Sequence, residues 1–111
     1  MVDKPTSVNY GLQAVELLKT DVFDLWLRTL RDLRGAARIQ ARLDRFVMGN
    51  PGDIKSVGDG VFEMRIDYGP GYRVYYTRQG VLVVLLLCGG DKSTQTKDIA
   101  RAKRMAKALK E

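Results

Sequence analysis

The stretch VFEMRIDYGPGYRVYYTRQGVLVVLLLC, from Val61 to Cys88, decides the fold. Up to Tyr68 it alternates, with Phe62, Met64 and Ile66 on one side and Glu63, Arg65 and Asp67 on the other. Successive side chains of a strand point to opposite faces, so a period of two predicts a strand with one face on a core. Tyr68-Gly69-Pro70-Gly71 has turn composition. Tyr72 to Thr77 resumes as a strand, setting Tyr72, Val74 and Tyr76 against Arg73, Tyr75 and Thr77. After a second turn at Arg78-Gln79-Gly80, the unbroken apolar run Val81–Cys88 predicts a strand buried on both faces.

Upstream the period is 3.6. A short apolar stretch, Gln13 to Leu18, reads as a first strand, and Thr20 or Asp21 as a helix N-cap. Phe23, Trp26, Leu27, Leu30 and Leu33 then fall at helical spacing, which predicts an amphipathic helix of about three turns broken at Gly35. A second helix is expected from about Ala36 to Met48, with Ile39, Leu43, Phe46 and Val47 on its apolar face and Arg38, Arg42 and Arg45 on the other. Gly49-Asn50-Pro51-Gly52 ends it. Downstream, about 95–111 reads as a basic helix with Ile99, Ala102, Met105, Ala106 and Leu109 down one side, packing on the domain or on a partner. The resulting order is β-α-α-β-β-β-α. It predicts an α+β fold, a small, mostly antiparallel sheet with two N-terminal helices on one face, as a single domain over 1–111.

Composition narrows the chemistry. The chain has 111 residues, 19 Lys+Arg against 13 Asp+Glu, no His and one Cys. The absent imidazole excludes Ser-His-Asp and Cys-His triads, and one Cys excludes an internal disulfide or a Cys-cluster zinc site. Single-Cys usage fits a reducing cytoplasm. Met1 to Asn9 has no apolar core, so no signal peptide is expected, and the eight-residue apolar run is far below the roughly 20 residues that span a bilayer. Of the formal net charge of +6, the stretch from Gln95 onward carries six Lys/Arg against Asp98 and Glu111. Anionic partners are expected.

With the helices on the Phe62/Met64/Ile66 face, Glu63, Arg65, Arg73 and Tyr75 are expected together on the opposite, solvated face, with Lys55 and Lys92 nearby. Cleaving RNA without a metal needs the 2′-oxygen deprotonated, the phosphorane charge stabilised and the 5′-oxygen protonated. Guanidinium forks suit the second task, whereas Lys, Glu or Tyr can attempt the others. Tyr75 could instead stack on a base, and Arg38 and Arg42 could contact phosphates. The plainer reading is that Glu63 forms ion pairs with Arg65 or Arg73 on a wet sheet face, and that the arginine stripe is a solvated helix face. Gly89-Gly90-Asp91-Lys92-Ser93-Thr94 lacks the GxxxxGK[ST] spacing of a nucleotide-binding loop. Ser93 or Thr94 is expected to cap the last helix. Cys88 reads as a small core residue.

Thr20-x-x-Phe23-x-x-Trp26-Leu27, Gly49-Asn50-x-Gly52-Asp53-x-Lys55, and above all GPGYRVYY (69–76) and GGDKSTQ (89–95) together resemble the addiction-module killer proteins, or HigB-type toxins, of the RelE superfamily. The resemblance spans roughly residues 14 to 106. It implies a RelE-like fold and the toxin of a type II toxin–antitoxin system. Such a toxin is a metal-independent endoribonuclease, or mRNA interferase, that enters the ribosomal A site, cuts mRNA and stops translation, with no cofactor. The partners it implies are a helix-turn-helix antitoxin, the ribosome with its mRNA, and operator DNA reached through the antitoxin. It implies no membrane, and a cytoplasmic location. It carries Arg73 as the stabiliser of transition-state charge, Lys55 as a phosphate or proton-transfer residue, and Arg65 and Lys92 as phosphate ligands. Glu63 is implied as a base or an orienting group. Several relatives use a His that this chain lacks, leaving Lys92 or Tyr75 to stand in as general acid. The alternatives are a non-enzymatic RNA- or DNA-binding module and an inactive operon co-repressor.

Overall fold

The computed structural model describes residues 14–110, so the expectations for Met1–Asn9, Gln13 and Glu111 fall outside the described residues. Five strands form one mixed sheet: β1 (Glu16–Lys19), β2 (Ile54–Gly58), β3 (Val61–Arg65), β4 (Tyr72–Arg78) and β5 (Val83–Asp91). Their order is β1-β5-β4-β3-β2. All neighbours are antiparallel except β1, which pairs parallel to β5 at one edge. Three helices complete an α+β architecture: α1 (Asp21–Arg28), α2 (Leu33–Val47) and α3 (Gln95–Leu109). Among the described residues, no helix is long and apolar enough to cross a membrane.

Strand β2 was not expected. It joins β3 through Asp59-Gly60, both at positive φ (56° and 76°). That geometry matches the twist of a two-residue hairpin and favours Asp-Gly. The dipeptide was the available signal, but the partly exposed IKSVG sequence has no strong alternation to accompany it.

The helix break also differs from expectation. Gly35 lies inside α2, not between two helices. The chain leaves α1 at Thr29 and re-enters helix at Asp32, whose carboxylate accepts from the Gly35 N–H at 2.9 Å. The reason for glycine is space, because a Cβ there would stand 2.5 Å from Cε2 of Tyr72. The Tyr72 hydroxyl donates to the same carboxylate at 2.7 Å, and burial together with that bond pushes its pKa up to about 12. Asp32 thus caps α2 and ties it to the sheet.

The apolar alternation holds. Phe23 of α1 and Ile39, Leu43 and Phe46 of α2 bury Met64, Val74, Tyr76 and Leu86 beneath them. Strand β5 is buried on both faces, as expected, although Val81 and Leu82 precede it and are exposed. The opposite face is not open, however. Helix α3 lies across it, with Ala102 and Ala106 in contact with Tyr75, Leu85, Leu87 and Cys88. Two alanines at i and i+4 put a flat, small-residue stripe against the strands, which lets the helix approach closely. The molecule has three layers where two were expected.

Candidate active site

Strand register sets the site. On the α3 face, Lys55, Glu63, Tyr75 and Cys88 form one cross-strand row, and Arg65, Arg73 and Gly90 form the next. Helix α3 covers Glu63, Tyr75 and Cys88 of the first row, leaves Lys55 exposed, and begins beside the second. This overturns the expected solvated face: Glu63 is 1% exposed and Tyr75 is fully buried, so neither is free to meet a substrate base. Burial first, and Glu63 second, raise the Tyr75 hydroxyl above its ordinary range, so it remains a protonated donor. Tyr75 is therefore not an exposed stacking platform.

The second row stays accessible. Arg65, Arg73 and Lys92 line an open cleft of about 530 Å³ together with Asp53, Asp67 and the Gly69–Gly71 turn. Like charges directly opposite on a sheet repel, so the two guanidiniums need anchors. Arg65 is held by Asp53, Nη2 to Oδ1 at 3.0 Å. Arg73 donates Nη1 to the Gly71 and Tyr72 carbonyls at 3.1 and 3.3 Å. Its Nε stands 3.8 Å from Oε2 of Glu63, close enough for an ion pair and too far for a hydrogen bond. The Nε atoms of both arginines are buried with no hydrogen-bond partner. Lys92 enters from the short 3-10 turn Lys92–Thr94, which the Asp91 carboxylate caps by accepting from the Ser93 N–H at 2.8 Å. Thr94 stands at the α3 N-cap but makes no side-chain cap bond there; its hydroxyl instead completes the Asp91 capping box of the preceding turn.

The paired glycines belong to strand β5 and serve packing. A Cβ at Gly89 would lie 2.3 Å from the Trp26 ring on one face, and a Cβ at Gly90 would lie 1.9 Å from Oδ2 of Asp98 on the other. Gly90 is the register partner of Arg73, so its missing side chain is what lets the first turn of α3 reach the cleft row.

The remaining candidates divide. Lys55 is exposed on edge strand β2, in the Glu63 row and outside the cleft lining. Arg42, which lines a groove with Arg38 and Arg45, turns its guanidinium to the Arg65 carbonyl, the Pro51 carbonyl at 3.0 Å and the Asp53 carbonyl at 3.3 Å, bracing the turn after α2. Arg38 is exposed, over the Tyr68 ring at 5.0 Å, and shares with Arg45 a groove that meets the cleft at Ile66 and Asp67. Cys88 is buried, and burial pushes its thiol up to about 11. Sequence reasoning assigned no role to Asp53 or Gln95, the partners of Arg65 and Glu63, because those pairings arise only after the hairpin and α3 are seated. Among the described residues, no group of three or more His, Cys, Asp or Glu is placed to hold a metal ion.

Fold and site define a small α+β protein with a cationic cleft at one end of its sheet. No family model matches the chain. A protein of Haemophilus influenzae described as "Uncharacterized protein" is 56% identical over 95 residues, covering 86% of this chain and 96% of that one. The chain belongs to the same family as that Haemophilus protein.

Proposed function

We propose that the chain is the toxin of a type II toxin–antitoxin pair with a RelE-like fold, a metal-independent endoribonuclease that cuts mRNA on the ribosome. The observation that carries this reading is the convergence of Arg65 and Arg73, on adjacent strands, and Lys92, on the turn after β5, in one cleft. The two most specific motifs of the resemblance supply two of these cations: Arg73 follows the GPGY turn, and Lys92 follows the glycine pair. In the reaction the 2′-oxygen gives its proton to a solvent water and bonds to phosphorus, and the P–O5′ bond breaks. The departing O5′ takes a proton, leaving a 2′,3′-cyclic phosphate. Arg73 and Arg65 bind the non-bridging oxygens as charge grows on them. Lys92 supplies the proton, and Lys55 contacts the flanking phosphate. A helix-turn-helix antitoxin that also carries the complex to operator DNA is the proposed partner, and the cytoplasm the proposed location.

Inducing the chain with and without its neighbouring gene, and mapping mRNA 5′ ends, tests the reading. Cuts are expected only without the neighbour. Arg73→Ala should lower cleavage by about 10²–10³-fold, the scale of losing one donor to a transition-state oxyanion, with the fold retained. Growth and mRNA left untouched by the wild-type chain would overturn it.

A second reading, a non-enzymatic nucleic-acid binder, is favoured by one observation: Glu63 and Tyr75, two of the groups that could move a proton, are buried. In that case binding weakens stepwise as Arg65, Arg73, Lys92 and Arg38 are removed, with a shallower salt dependence each time and no cleavage by the wild type.

A further inference from the structure

We propose that Glu63 is a positioning residue for Arg73, and that Gln95 makes this positioning conditional on the seating of α3. The inference rests on the cleft being the RNA-cleaving site, and it gives the buried carboxylate a role other than that of a base.

Burying a carboxylate is costly unless its charge is met by partners. Glu63 is 1% exposed, and a single oxygen, Oε2, gathers its polar partners among the described residues. It accepts from the Tyr75 hydroxyl at 3.0 Å and from Nε2 of Gln95 at 2.7 Å, and it faces Nε of Arg73 at 3.8 Å. Two of these partners are neutral donors and the third is the cleft cation. An apolar residue of similar size would fill the same space at less cost. The charge at position 63 therefore does something that packing alone does not require, and the one partner that reaches the cleft is Arg73.

The geometry of Arg73 shows what is being fixed. Its Nη1 is tied to its own turn, and its Nε is buried without a hydrogen bond. Rotation about the last side-chain bonds would swing the fork in the cleft, and the Glu63 field opposes it from behind. Gln95 is the first residue of α3, so its hold on Glu63 exists only while that helix is docked. Gly90, opposite Arg73, admits the first turn of α3 to this row. Strands β3 and β4 and helix α3 thus meet on one oxygen atom, and a shift of α3 is transmitted to the cleft guanidinium.

The test compares Glu63→Gln, Gln95→Ala and Arg73→Ala in the full-length chain. Glu63→Gln keeps size and an acceptor for Tyr75 and Gln95 but removes the charge behind Arg73. Gln95→Ala keeps the charge and removes the tie to α3. Two readouts are taken: cleavage of a defined mRNA on programmed ribosomes under single-turnover conditions, and the Arg73 Nε–H resonance of the free protein. The saturating rate constant of Glu63→Gln is expected to fall about tenfold to 100-fold, the scale of a misplaced catalytic group, with half-saturation changed far less. Gln95→Ala is expected to fall in between. In both, faster solvent exchange of the Arg73 Nε–H is expected while the backbone spectrum stays folded. A merely structural carboxylate would lower the melting temperature and leave the rate constant of the folded fraction alone. The proposal is overturned if Arg73→Ala abolishes cleavage while Glu63→Gln cleaves at the wild-type rate with an unchanged Nε–H signal. Absence of cleavage by the wild-type chain overturns the endonuclease reading itself and the positioning role with it, whatever the resonance does.

Discussion

The two faces of the sheet are built on different rules. Beneath α1 and α2, aromatic and aliphatic side chains interlock, with Phe46 edge-on to Tyr76 at 5.1 Å and Phe62 stacked on that same tyrosine at 5.4 Å. Beneath α3 the buried set includes Glu63, Tyr75 and Cys88, met by two alanines. The first face stabilises by area removed from water, which is tolerant of detail. The second depends on particular hydrogen bonds, and only there does a cation reach from the buried network into a cleft. The contrast teaches that one pair of strands can carry an apolar core on one side and a buried polar network leading to a cationic cleft on the other, because alternate residues are independent.

That division can be broken by experiment. The largest effect is expected at the α1/α2 face: Phe46→Ala should cost about 3–5 kcal/mol by denaturant titration, because it leaves a cavity in a closed core. An unchanged unfolding midpoint would dissolve the contrast. Next is Gly89→Ala, where the new methyl meets the Trp26 ring and overpacking should cost up to about 3 kcal/mol. The same change at Gly90 meets the movable end of Asp98, so its loss should be smaller and felt in the cleft. If the two glycine variants behave alike, the faces are not separable at β5.

Arg42→Ala sharpens the comparison from a third side. It should lower stability by about 2 kcal/mol, the order of charged hydrogen bonds to carbonyls reduced by partial exposure, and leave RNA affinity and its salt dependence unchanged. A shallower salt slope in that variant would return Arg42 to the nucleic-acid surface. The smallest effect is expected with acid. The Gly35 N–H and then the Tyr72 hydroxyl hold Asp32 below its ordinary pKa of 3.8. Its contribution is therefore complete above that value and disappears as pH falls through the lower folded value. Asp32→Asn should flatten the acid limb of the stability profile, and an unaltered limb would show that the cap and the tyrosine bond do not depend on charge.

The apolar face was legible because β3 and β4 repeat every two residues and α2 repeats every 3.6, each with a strong contrast in polarity. Helix α3 was also legible as a helix. Its destination was not, because Ala102 and Ala106 are too small to advertise a buried stripe, and Glu63 reads as a surface residue until something covers it. Gly35 misled for a related reason: glycine commonly breaks a helix, and here a distant tyrosine requires it. Strand β2 hid because an edge strand needs little alternation. Of the cleft, Arg65, Arg73 and Lys92 were singled out from their residue types, whereas the pairings of Asp53 with Arg65 and of Gln95 with Glu63 become visible only through long-range geometry.

The parallel pairing of β1 with β5 has a consequence in time. Glu16 faces Val83 in register, and the Thr20 hydroxyl bonds the Leu87 carbonyl at 2.7 Å across 67 residues of chain. At roughly 5–20 residues per second of synthesis, the first strand waits roughly 3–13 s for the partner that closes the sheet. The Glu63–Gln95 bond forms later still, because its second half follows β5. A nascent chain that has not reached that point holds the cleft cations but lacks the Gln95 hold on Glu63. The tie between α3 and the buried carboxylate is thus among the last long-range contacts of the sheet to form, after β1 has found β5.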